Sequence, residues 1–136
     1  MKGLLQISSL HSPPTIIQNE IQSAGLMKLL SQLVDVTSTT PPDIHSLALN
    51  KVVFYDTAQP DYASGASVEA TETTVLFTSS PDGVWVNAVL DYGIEFSNVS
   101  TASLSFGDTI FSLASITPSK DKQVTDKWII QWKITS

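Results

Sequence analysis

From Asp126 to Ser136 the chain reads DKWIIQWKITS, and Trp128, Ile130, Trp132 and Ile134 fall on every second residue. A period of two puts all four on one face of a β-strand, with Lys127, Gln131 and Lys133 on the other. Two of the three tryptophans lie in this stretch. So much apolar area on one face requires cover, which is a strong demand on residues near a chain end, where order is usually weakest. The expectation is a strand inside a sheet, with the four side chains turned to the core. A contact between subunits is the alternative for Trp132, since tryptophan is enriched at interface hot spots.

The same period runs through most of the chain. DIHSLALNKVVFYD, VEATETTVLFT, VWVNAVL, GIEF, TASLSF and DTIFSLASI read as strands, and the turn SSPDGVW, with Pro81 and Gly83, reads as a hairpin. The exception is SAGLMKLLSQLV, after the strand TIIQNEIQ. Ser23 suits an N-cap, and Leu26, Leu29, Leu30 and Leu33 recur at helical spacing until TSTTPPD ends the run. The fold expected is mainly β (α+β): an antiparallel sandwich or partly open barrel with one amphipathic helix near the N-terminus.

Residues 1–14 read as an extended N-terminal arm ahead of a single β-rich domain over 15–136. Leu4, Leu5, Ile7 and Leu10 form a short apolar patch, cut off by Pro13-Pro14. Such a segment is held either as an edge strand of its own domain or as an arm on a neighbouring subunit.

Composition narrows the partners. Charged residues are 15% of the chain, against about 25% in an ordinary soluble domain, and serine and threonine number 33. A surface poor in charge can be covered without stripping ions of water. The net charge is −6 and all seven cations are lysines, which argues against direct nucleic-acid binding. Without cysteine, disulfides and thiolate metal sites are excluded. His11 and His45 are too few for a typical zinc site, and no cofactor is expected. No run reaches the length of a membrane span, and MKGLLQISSL lacks a signal peptide's apolar region and cleavage site. The chain is therefore expected to be made in a cytoplasm, and the Asn98-Val99-Ser100 sequon is read as accidental.

The order of these elements resembles a structural domain of tailed-bacteriophage virions, found in tail-fibre and appendage proteins and in small virion proteins. QSAGLMKLL is similar to the opening helix of that type and IIQWKIT to its closing strand; AVLDYGIEF stands where a strand running into Glu-Val-Gly-Leu-Phe is usual. Asp91-Tyr92 replaces the Glu-Val, and LALNKVVFYDTAQ replaces a glycine-rich stretch. The likeness spans about residues 15–135. It implies a structural virion component and carries over no enzymatic residue.

Chemistry finds little purchase. There is no G-x-S-x-G element, His11 falls in the arm, and His45, near Asp43 and Asp56, reads as structural. Asp56 and Asp61 share the loop FYDTAQPDY, where turn chemistry explains them better than a glycosidase pair. Tyr55 and Tyr62 of that loop are candidates for stacking on a sugar. The leading expectation is a non-enzymatic capsid decoration or cement subunit. Its partners would be the major capsid protein, other virion proteins and further copies of itself, and its contact residues Leu4, Leu5, Ile7, Leu10, Tyr55, Tyr62 and Trp132. A short apolar arm and a chain ending one residue after the matching region favour this over a tail, neck or fibre subunit. A carbohydrate-binding module for host attachment is the third reading.

Overall fold

The computed structural model describes residues 2–27, 51–56, 67–69, 76–80, 83–106 and 109–135. Among them are nine strands: β1 (Lys2–Ser8), β2 (Thr15–Glu20), β3 (Lys51–Tyr55), β4 (Ser67–Glu69), β5 (Leu76–Ser80), β6 (Gly83–Leu90), β7 (Phe96–Phe106), β8 (Thr109–Lys122) and β9 (Trp128–Thr135). They form two antiparallel sheets, a five-stranded one in the order β2-β1-β9-β6-β5 and a four-stranded one in the order β4-β3-β7-β8. The chain is mainly β, as the alternation predicts.

The closing strand is central. β9 lies between β1 and β6, and Trp128, Ile130 and Trp132 are buried while Ile129 is exposed. From the other sheet Val52, Phe54, Ala102, Leu104, Phe111 and Ala114 complete the core. Phe54 of β3 meets Trp128 edge-to-face with ring centroids 5.8 Å apart, a favourable aromatic geometry that joins the sheets. The SSPDGVW turn joins β5 to β6 as a hairpin, with Ser80 paired to Gly83.

Along one side the sheets touch. Ile21, just past β2, bridges to Ser112 of β8, the Gln22 N–H donates to the Phe111 carbonyl at 2.7 Å, and the Asn19 amide donates to the Ser112 hydroxyl. Among the described residues the far edges, β5 and β4, do not pair with each other, and the barrel is not closed. A helix over residues 23–27 follows this crossing at once. Ser23 starts it and Gly25 lies against β8, where an added Cβ would stand 2.5 Å from the Phe111 Cα. Leu26 is half-buried; Leu29, Leu30 and Leu33 lie outside the described residues.

Of the two expectations for residues 1–14, an edge strand of the chain's own domain or an arm on a neighbour, the structure shows a strand of its own domain, and an inner one. β1 is an inner strand, paired with β2 over Lys2–Ile7 and with β9 over Lys2–Ser8. Leu5 and Ile7 are fully buried in the chain's own core. The physical reason is parity. Gly3, Leu5 and Ile7 share the inward face and Leu4 the outward one, so the apolar patch is two faces of a strand.

Candidate functional site

At one end of the sandwich three connections meet: β1 to β2, β6 to β7, and β8 to β9. The last two are joined directly, the Gly93 N–H donating to the Val124 carbonyl at 2.9 Å. The rest of the fixation comes from two buried charged side chains, Lys122 at the end of β8 and Asp126 just before β9.

Lys122 is fully buried. Its ammonium donates to the main-chain carbonyls of Asp91 at 2.7 Å, Ile94 at 2.8 Å and Asp126 at 2.8 Å, with Gln123 farther at 3.3 Å. Carbonyl dipoles thus replace its hydration shell. Burial lowers its pKa below the ordinary lysine value, resisted by the charges of Asp126 and Asp91.

Asp126 is 4% exposed. Its carboxylate accepts from the Ser9 hydroxyl at 2.5 Å, the Leu10 N–H at 3.0 Å, the Lys127 N–H at 2.8 Å and the Trp128 indole N–H at 3.2 Å. Burial pushes this carboxyl up, but the hydrogen bonds from Ser9, Leu10, Lys127 and Trp128 outweigh it and hold the group below the ordinary carboxylate value. Between them the two side chains tie all three connections to the core.

These fixed turns carry large apolar side chains into solvent. Leu10 is 59% exposed, Tyr92 54% and Val124 47%. The Lys127 ammonium lies 5.7 Å from the centre of the Tyr92 ring, and the exposed His11 ring nitrogen is 3.3 Å from the Thr125 carbonyl. Ordering cost is a main obstacle to binding through loops, and turns held this firmly have met much of it before a partner arrives. The arrangement suits docking.

Of the residues named from sequence, Leu10 belongs to this tip. Leu4 is half-buried on the outward face of β1, while Leu5, Ile7 and Trp132 are core residues. Tyr55 is corrected as a sugar platform: it lies on β3 at 1% exposure, with its hydroxyl 3.2 Å from that of Ser103, so its ring offers no stacking surface. Tyr62, Asp61, His45 and Asp43 lie outside the described residues; Asp56 is half-buried after β3. The sequon's Asn98 occupies a left-handed position, φ 61°, on the irregular start of β7.

Lys122, Asp126, Tyr92 and Val124 were not singled out from sequence. A signal existed: Asp126 shares the parity of Trp128, Ile130 and Trp132, and Lys122 that of Ala114 and Ile116, so both fall on buried faces. Among the described residues no group of three or more His, Cys, Asp or Glu is placed to hold a metal ion, and no helix is long and apolar enough to cross a membrane. Compared with protein-family models, with curated proteins and with solved structures, the chain has no match.

Proposed function

We propose that this chain is a non-enzymatic structural protein of a tailed-bacteriophage virion, a capsid decoration or cement subunit that docks on shell proteins through the Leu10–Tyr92–Val124 tip. The carrying observation is that three exposed apolar side chains sit on three turns clamped by the buried Lys122 and Asp126. Buried ions are a costly way to gain stability, and fixing the shape of a docking surface gives them a purpose. The resemblance of QSAGLMKLL and IIQWKIT to virion domains supplies the setting. A subunit that binds only the assembled shell stabilises it by mass action. The same resemblance favours a tail, neck or fibre subunit as the second reading.

The test is incorporation into particles. Combined Leu10→Ser, Tyr92→Ser and Val124→Ser changes should leave the purified protein's melting temperature nearly unaltered, because all three are exposed. They should strip it from virions, which would then release their genome at a lower temperature. Copy number by mass spectrometry separates the two readings: icosahedral repetition requires on the order of hundreds per particle, a tail or neck ring about six to a few dozen. Full incorporation of the triple variant would overturn the tip as the docking site.

A further inference from the structure

We infer that this chain forms a two-fold dimer through the outward face of its five-stranded sheet, the partner being a second copy of itself. Strand register sets the chemistry of that face. Leu4 lies beside Lys133, Gln6 beside Gln131 and Ser8 beside Ile129 across β1 and β9, and β6 extends the first and last of these rows with Trp85 and Val89. All lie at outward positions and are half-buried or exposed, Ile129 at 45%.

Charge selects the occupant. The net charge is −6, so two copies repel over most approaches. In these three rows Lys133 is the one charged residue among those described, and its ammonium already lies 5.4 Å from the centre of its own chain's Trp85 ring. Covering the face therefore strands no carboxylate and asks for no new partner for that cation. A strongly charged partner finds nothing there to pair with.

A two-fold axis parallel to the strands, between β1 and β9, lays each β1 residue over the β9 residue of its own row on the other copy. Gln6 then meets Gln131, Leu4 meets Lys133 and Ser8 meets Ile129, each contact made twice, as an isologous interface requires. A glutamine amide both donates and accepts, so Gln6 and Gln131 complement each other, and no lysine faces a lysine. The strands of the two sheets stay within about 30° of each other, as in an ordinary sandwich. β2 of one copy covers β6 of the other, so four strands overlap. At about 4.8 Å spacing and about 24 Å length they give each copy a footprint of about 450 Å². The total is about 900 Å² before side-chain relief adds to it, close to the roughly 1,000 Å² of a specific interface. The same axis turns both Leu10–Tyr92–Val124 tips one way, so that one dimer presents two tips to one shell and the second docks at raised effective concentration. That consequence rests on the tip being the docking site; the dimer does not.

Sedimentation equilibrium of the full chain from about 10 µM to about 1 mM should show a dimer with a Kd of about 100 µM or tighter. Gln6→Glu combined with Gln131→Glu sets carboxylates over one another and should weaken it at least about tenfold. Gln6→Glu combined with Gln131→Lys sets opposite charges face to face and should restore it to within about threefold. Melting temperatures at low concentration report that both double variants are folded. The combined Leu10→Ser, Tyr92→Ser and Val124→Ser protein should dimerise like the parent, so loss of shell docking and loss of the dimer are read separately. A chain that stays monomeric over the whole range overturns the dimer. So does association that the tip changes abolish, or that both glutamine pairs leave unaltered, since it then runs through another surface. Equal weakening by the two glutamine pairs would overturn the axis.

Discussion

The ammonium of Lys122 donates to the main-chain carbonyl of Asp126 at 2.8 Å, while the carboxylate of that same Asp126 is turned to the Ser9 hydroxyl and the Leu10 N–H. The two charges therefore work in series through one residue rather than as a closed ion pair. Breaking either should loosen a different set of turns.

Lys122→Met keeps most of the stem and deletes the cation, leaving the carbonyls of Asp91, Ile94 and Asp126 short of a donor. Stability should fall, since each buried carbonyl left without its donor costs about 1–3 kcal/mol. Urea denaturation measures this. Hydrogen exchange at Gly93 should accelerate, because its N–H bond to Val124 spans two turns that Lys122 holds.

The pH dependence has a definite sign. Asp126 is held below its ordinary value of 3.8 in the folded protein, so between the two values the unfolded chain binds more protons and stability falls with falling pH. Its contribution is complete above pH 3.8 and lost as pH drops through the folded value. Lys122, lowered from 10.5, acts on the alkaline side: there too the unfolded chain binds the extra proton, so its share of stability rises as pH climbs toward 10.5. Asp126→Asn should lower stability at pH 7 and flatten the acid limb. An acid limb unchanged in the variant would assign that dependence to other carboxylates.

The two core tryptophans should differ under the same substitution. Trp128 donates its indole N–H to Asp126, whereas Trp132 Nε1 is buried with no partner. Trp128→Phe removes a hydrogen bond to a charged acceptor, worth about 1.5–3 kcal/mol, and vacates volume besides. Trp132→Phe vacates similar volume but also removes an unsatisfied donor, so its cost should be smaller. Trp132→Ala should cost about 3–5 kcal/mol, the loss expected from emptying a large aromatic site. Thermal melts of the three variants give the order.

Strand content and core were legible because they rest on parity, which a sequence displays directly. β6 and β9 alternate in burial and every inward residue is apolar, although Trp85, Val89 and Ile129 are apolar on the outward face as well. β1 is less legible because Pro13-Pro14 sets it off and its apolar residues fall on both faces, Leu5 and Ile7 inward and Leu4 outward, so parity does not show that it is an inner strand. Tyr55 was misread for a related reason: KVVFY is buried through Val52–Tyr55 on both faces, so no alternation marks where the strand ends and the loop begins. The clamp was hidden in KDKQVTDK, which reads as a solvated, charge-rich turn. Parity is shared by Lys120 and Lys122 and does not separate them; what sets Lys122 apart is a set of four main-chain carbonyls, two of them from residues about thirty positions away.

Gly25 offers the sharpest check on how the helix meets the sheet. It lies inside the 23–27 helix, where glycine is about 1 kcal/mol worse than alanine by propensity alone. On that ground Gly25→Ala would stabilise the protein. The packing argues the reverse. An added methyl would stand 2.5 Å from the Phe111 Cα and 2.7 Å from the Ile110 carbonyl oxygen, both main-chain atoms that cannot swing aside. The helix would have to lift from β8, straining the Gln22 N–H bond to the Phe111 carbonyl and the Ile21–Ser112 bridge that join the two sheets. Overpacking of this kind costs about 1–3 kcal/mol, so Gly25→Ala should lower the melting temperature, and Gly25→Val more so. A raised melting temperature for Gly25→Ala would show that the helix does not rest on Phe111.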